Sequence, residues 1–309
     1  MLKYILRRLL MMVPVLFGVM FVIFTLVYIT PADAAVVILG ERASPEALAQ
    51  LRAEMGLDQP FLVQFGRYVS RVVQLDLGNS FLIGRQPVFD LLAGRFPNTA
   101  RLALMGILVA LVIGIPTGIL CSIRHNSWLD SIASVLGLVA LSVPNFWLGL
   151  MLVLLFAVNL GWLPVSGFHT PMHWILPALT LGLSLAGEFM RFTRSSMLEV
   201  VRQDYIRTAW AKGQTEAAII VKHALKNALI PLVTVVGLSF GSMMQGAVLT
   251  ETIFAVPGVG AFMVQAISSR DTPIIQGGVL MIALIFSFVN LIVDILYGFV
   301  DPRIRSQYK

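Results

Sequence analysis

Residues 102–123 read LALMGILVALVIGIPTGILCSI, a run with no charged side chain. A helix rising 1.5 Å per residue needs roughly 20 apolar residues to cross the hydrocarbon layer, and this stretch meets that length. Comparable runs lie on either side: Leu9 to Ile29, Ser131 to Leu163, Pro171 to Gly187, Ala228 to Thr250 and Thr272 to Val293. The run from Ser131 is too long for one straight crossing and is interrupted at Pro144-Asn145. It reads as one span followed by an apolar external segment ending near Leu163. The expected architecture is all-α and integral to the membrane, with six transmembrane helices.

Composition agrees. Of 309 residues, 58% are hydrophobic and 12% charged, with a mean hydropathy of +0.86. Soluble proteins carry about 25% charge, so an ordinary soluble globular chain is excluded. The lone cysteine, Cys121, excludes an internal disulfide and a multi-cysteine metal site. Lys3, Arg7 and Arg8 before the first run resemble a signal peptide. That run is longer than a signal h-region and five more follow, so it is expected to be a retained helix.

Basic residues orient the chain. Arg and Lys of the amino-terminal stub (1–8), the connection after the second span, the 188–227 connection and the tail (301–309) number fourteen, against Arg270 alone in the short connections on the other side. Short basic connections stay in the cytoplasm, so both termini are expected there. The net charge of +6 is thereby explained by topology, and no nucleic-acid partner is called for. The linear division is then 1–30 (stub and first helix), 31–101 (an external insert), 102–300 (the core of five spans) and 301–309 (the tail). In the insert, Ser44-Pro45 reads as a helix start and Gly56 as its stop. Phe61, Phe65, Tyr68, Val69 and Val72 give an amphipathic helix over 60–74.

Motifs that suggest chemistry have plainer explanations. Gly237-Leu238-Ser239-Phe240-Gly241 fits the nucleophile-elbow pattern, but lies within a span, away from any strand. Glycines four apart suit helix packing, and no histidine in any span can serve Ser239 as a base. His169 and His173 are four apart but straddle Pro171, with no third ligand. No catalytic or metal residue is expected. No P-loop motif is present, so ATP is not expected to bind this chain. Glu188, Arg191 and Arg194 are expected at the inner end of the fourth span, leaving no ionisable group at mid-membrane, which speaks against an ion-coupled carrier.

The 188–227 connection is too long for a hairpin. Tyr205, Ile206, Ala209, Trp210, Gly213 and Ala217 recur at helical spacing, with Arg207, Lys212 and Glu216 elsewhere. A helix carrying small residues on the cytoplasmic face either enters a groove of another protein or packs on its own bundle. Periodicity does not decide between them.

The residues Asp204-Tyr205-Ile206-Arg207-Thr208-Ala209-Trp210-Ala211-Lys212-Gly213, then His223-Ala224-Leu225-Lys226-Asn227-Ala228, resemble the EAA loop of ABC-importer permeases, in the variant of the dipeptide and oligopeptide family. The general Glu-Ala falls on Arg207-Thr208 and the later proline on Lys226, departures usual in that group. Leu57-Asp58-Gln59-Pro60, Asp76-Leu77-Gly78-Asn79-Ser80, Arg95-Phe96-Pro97-Asn98-Thr99, Ser142 to Trp147, Glu251 to Gly260 and Arg270-Asp271 resemble the first permease of such systems over nearly the whole chain. Pro31-Ala32-Asp33-Ala34 departs from the family's usual Pro-Gly-Asp-Pro.

The resemblance implies a type I ABC importer permease with an external insert between its first two helices, in the bacterial cytoplasmic membrane. The implied partners are a second homologous permease, two cytoplasmic ATPases holding ATP and Mg²⁺, and an extracytoplasmic binding protein. Tyr205, Arg207, Thr208, Ala209, Ala211, Lys212 and Gly213 would couple to an ATPase, with Gly213 admitting close backbone approach. Phe254, Pro257, Gly258, Gly260, Arg270 and Asp271, in the external connection 251–271, would gate the mouth. Asn145, Ser242 and Gln245 are polar candidates for the pathway. Dipeptides or short peptides are the expected cargo; nickel, glutathione or opine-like solutes are alternatives, and an ATP-independent carrier is the rival mechanism.

Overall fold

The computed structural model describes residues 2–30, 33–40 and 42–300; the tail at 301–309, and Pro31-Ala32 of the departing turn, lie outside the described residues. The helices in chain order are α1 (Leu2–Ile29), α2 (Ala34–Leu39), α3 (Pro45–Met55), α4 (Phe61–Val73), α5 (Val88–Ala93), α6 (Phe96–Ile123), α7 (Trp128–Ser142) and α8 (Asn145–Leu152). A π-helical stretch, Val153–Asn159, continues α8, and a 3₁₀ turn, Pro171–Trp174, leads into α9 (Ile175–Val201). Then come α10 (Asp204–Ala211), α11 (Glu216–Ala218) running through a π-helical stretch (Ile219–Leu225) into α12 (Lys226–Ile253), α13 (Val259–Ser269) and α14 (Thr272–Val300).

Among the described residues, four helical segments are long and apolar enough to cross a membrane: Ile5–Ile29, Val88–Ile123, Pro171–Val201 and Thr272–Ile295. Two bent pairs, Trp128–Ser142 with Asn145–Asn159 (106°) and Glu216–Leu229 with Pro231–Gln245 (49°), bring the spans to six when each pair counts once. The bends have local causes. Val143 is extended (φ −78°, ψ 126°) because the ring of Pro144 disfavours the helical region in the residue before it. Pro231 lacks the N–H that would hold the preceding turn. Beyond Pro144 the chain turns sharply and remains helical to Asn159, so the apolar segment expected after the interruption is largely helix. The helix of the fourth span continues fourteen residues past Gly187 to Val201, so Glu188 stands at the middle of α9.

The chain forms two compact units, Met1–Thr99 with Pro257–Phe288, and Ala100–Val256 with the chain from Val289 onward. In the first, Ser44 caps α3 by accepting from the Ala47 N–H at 3.2 Å. Gly56, at φ +67°, ends that helix in a conformation that favours glycine. The apolar stripe of α4 (Phe61, Phe65, Tyr68, Val69, Val72) packs on Met20 and Phe24 of α1 and Leu280 of α14, with Phe24, Phe61 and Phe65 in edge and tilted ring contacts. A second cluster joins Val88 and Leu92 of α5 to Val259, Phe262 and Ala266 of α13 and Ile274 of α14.

In the second unit, α9 is the central element and packs against α7, α8 and α12. Close approach rests on glycine: a Cβ on Gly118 would lie 2.6 Å from the Met190 carbonyl oxygen, and one on Gly187 2.5 Å from that of Gly137. Lipid supplies no hydrophobic contrast between helices, so small residues that let backbones meet become the main source of packing energy. Gly237 of the elbow-like motif abuts Val293, and Ser239 Oγ donates to the Val235 carbonyl at 2.8 Å. Both observations agree with the packing reading of that motif.

Candidate functional site

The 188–227 connection carries a short hook. Asp204 lies in the first turn of α10, and Gly213 closes the hook at φ +73°, its N–H donating to the Trp210 carbonyl at 2.9 Å. Nothing in the chain would meet a Cβ on Gly213. Its left-handed backbone is therefore the feature of the fold that calls for glycine. Ile206 and Ala209 are buried in a cluster with Met197 of α9 and Ile219, Ala224 and Ala228. Of the two settings that periodicity leaves open, Ala209 takes the second and packs on its own bundle. Tyr205 (44% exposed) and Trp210 (49%) are open, as are Arg207, Thr208, Ala211 and Lys212. Asn227 Nδ2 donates to Tyr205 Oη at 3.1 Å, and His223 Nε2 sits 2.8 Å from Gln214 Oε1, fastening the hook to the root of α12. The Arg207–Asp204 pair (3.6 Å) is wholly on the surface and adds little.

Above the hook lies a charged joint that the sequence reading missed. Arg194 of α9 grips Asp130 of α7 with two bonds, Nε–Oδ1 2.6 Å and Nη2–Oδ2 2.8 Å. The Asn126 N–H adds a third at 3.0 Å, and His125 Nδ1 lies 3.2 Å from Asp130 Oδ2. Asp130 is buried, so the bidentate fork is what makes its charge tolerable. Ser127 accepting from the Asp130 N–H is a capping pattern that could have placed Asp130 at a helix start. Arg194 is 64 residues away, and no local pattern links the two.

The expected gate residues separate into two settings. In the second unit, Phe254 is buried and its carbonyl accepts from the Gly167 N–H at 2.9 Å. In the first, the Pro257 carbonyl accepts from Asn98 Nδ2 at 3.0 Å, and the Val259 N–H donates to Thr99 Oγ1 at 2.9 Å. Gly258 precedes α13 and Gly260 is buried within it. Arg270 ends α13 at φ +60°, and its neighbour Asp271 is buried. Asp271 accepts from Ser80 Oγ (2.5 Å) and from the Phe81 (3.2 Å) and Leu82 (3.3 Å) N–H groups. Nearby, the Arg71 guanidinium and the Gly78 N–H hold the Asp76 carboxyl below its ordinary pKa. About half of the 251–271 connection is the helix α13.

Of the three pathway candidates, Asn145 begins α8 just past the bend and is partly covered. Ser242 and Gln245 are exposed on α12, on one stripe with Leu238 and Leu249. The two histidines do not form a paired site: Thr170 and His173 cap the 3₁₀ turn instead, with Thr170 Oγ1 2.7 Å from His173 Nδ1.

This arrangement of bent spans around α9 with a hook after its end matches known transporters. Residues 114–306 match the family "Binding-protein-dependent transport system inner membrane component", and residues 1–103 match its N-terminal companion. The chain is 42% identical to a dipeptide transport system permease protein of Alkalihalophilus pseudofirmus, over 99% of this chain and 100% of that one. It is equally 42% identical to a glutathione transport system permease protein of Salmonella typhimurium, over 99% of both. Among solved structures, the inward-facing MetNI methionine ABC transporter superposes with a TM-score of 0.60 at 19% identity, covering 69% of this chain and 97% of that one. The chain accordingly belongs to the binding-protein-dependent transport family and is a membrane-embedded permease subunit of an ABC importer.

Proposed function

We propose that this permease carries short peptides, dipeptides first among them, through the inner membrane of a bacterium, with both termini in the cytoplasm. Glutathione, itself a tripeptide, is the nearest alternative cargo, since one of the similar chains is named for it. The proposed assembly contains a second homologous permease, two ATPases that bind ATP and Mg²⁺, and an extracytoplasmic binding protein that delivers cargo. The observation that carries the coupling role is the hook: its inner face is anchored by Ile206 and Ala209, while Tyr205, Thr208 and Trp210 are left uncovered. A short rigid rod with an aromatic outer face, fixed to α9 through Met197, can transmit displacement of an ATPase to the spans. Gly213 sets the angle at which the rod ends. The segment from Phe254 to Asp271 is proposed to gate the external mouth, where the binding protein docks.

The test is purification in mild detergent followed by reconstitution with the binding protein. An ATPase and a second permease should co-purify, and cargo-loaded binding protein should stimulate ATP hydrolysis. Trp210→Ala should cut that stimulation at least fivefold while the spans remain folded. Transport by the chain alone, with no ATPase present, would refute the proposal.

A further inference from the structure

Helix α9 leaves one stripe uncovered in its second half, formed by Glu188, Arg191, Ser195, Glu199 and Arg202. Glu188 and Arg191 make no hydrogen bond or ion pair among the described residues, whereas Arg194 beside them is committed to Asp130. These two free charges line a cleft of about 600 Å³ between α9 and α7, whose other wall includes Ser134, Leu138 and Leu141, with Phe192 at its edge. Both stand inside a helix long enough to cross: Gly187 meets Gly137, well inside α7, and Glu188 lies about 20 Å along the axis from Ile175, less than the roughly 30 Å thickness of a hydrocarbon layer. Unpaired charges at that depth face a water-filled cavity or other protein, not lipid.

We infer that this cleft is a transit subsite for zwitterionic cargo of about dipeptide length, with Glu188 receiving the ammonium end and Arg191 the carboxylate. Helical residues three apart place their Cβ atoms about 5–6 Å from one another. Two extended residues span at most about 7 Å, so both ends of a dipeptide reach the two charges together. The apolar wall of Leu138, Leu141 and Phe192 accepts side chains of varied shape. Opposite charges also explain passage: each end meets a counter-charge, and no metal or proton is needed. The inference rests on the importer reading and adds to it the residues that meet the cargo.

The experiment uses the assembled importer in inside-out vesicles. Cys121, the single cysteine and a buried one, is first replaced by serine. Glu188→Cys, Arg191→Cys and Ser195→Cys are then introduced singly, with the buried Phe189→Cys as reference. A membrane-impermeant cationic methanethiosulfonate should modify the first three at least tenfold faster than the reference. Saturating dialanine should slow modification at 188 and 191 at least threefold. In parallel, Glu188→Lys and Arg191→Glu should each lower dialanine uptake at least tenfold, and the double exchange should restore it to within threefold of wild type. Modification as slow as at the reference position, or unaffected by dialanine, overturns the subsite. Absence of ATPase stimulation by binding protein in the unsubstituted complex instead sinks the importer reading, which the labelling rates do not depend on.

Discussion

Replacing Asp271 by alanine tests whether a single buried carboxylate holds the turn at 80–83 to the junction of α13 and α14. The carboxylate accepts from Ser80 Oγ, the Phe81 N–H and the Leu82 N–H. Ser80 Oγ in turn accepts from the Ile83 N–H at 2.9 Å. A donor left without its partner costs about 1–3 kcal/mol when buried. Leu82 is 49% exposed, so water replaces part of its loss. The freed Ser80 hydroxyl can rotate, and the Phe81 N–H bears most of the penalty. The total is about 2 kcal/mol of local stability, which corresponds to roughly 30-fold faster amide exchange in that turn. Hydrogen exchange with single-amide resolution on the protein in nanodiscs reads this directly. Asp271→Ala should accelerate exchange at 81, 82 and 83, whereas Ser80→Ala should act at 82 and 83 and leave 81 near wild type. The helices α4 and α9 serve as internal references and should not change. Unaltered exchange at 81–83 in Asp271→Ala would refute the claim that this carboxylate is the fastening point.

Three further outcomes follow from the geometry. Ala209→Glu places a carboxylate among Met197, Ile219 and Ala224 and should destabilise the hook by several kcal/mol, detected as rapid proteolysis at 203–215, whereas Thr208→Glu, on the open face, should leave the hook protease-resistant. Arg194→Gln strands the buried Asp130 charge at a cost of about 3–5 kcal/mol; a drop in melting temperature in detergent larger than that of the exposed Arg202→Gln is the measurement. Gly187→Ala drives a methyl into the Gly137 backbone, while Gly137→Ala meets only the mobile end of Met190. The first should cost about 1–3 kcal/mol and the second clearly less, ranked by thermal unfolding of the two variants.

The membrane character, the number of crossings and the importer family were all legible along the chain, for a physical reason. A spanning helix satisfies its own backbone and must be apolar over a fixed length, so each crossing leaves a mark in consecutive residues. The hook was legible as a segment for the same reason: its residues are neighbours in the chain, and Gly213 marks its end. Which side of the hook is free was not. Ala209 and Thr208 are adjacent, both fit a helix, and only contact with Met197 and Ala224 turns one inward.

Long-range pairing was likewise a matter of tertiary structure. Asp130 finds Arg194 across 64 residues and Asp271 finds Ser80 across 191; no periodicity encodes such meetings. The extent of α9 shows the limit most plainly. Counting uncharged residues ended the apolar run at Gly187, but the helix runs on to Val201, with Arg194 paired to Asp130 and Glu188 and Arg191 on an exposed face. Hydropathy measures the cost of a charge in lipid. Where the charge faces is set by the rotation of each helix against its neighbours, and within a bundle that rotation is decided by packing of small residues, to which hydropathy is blind.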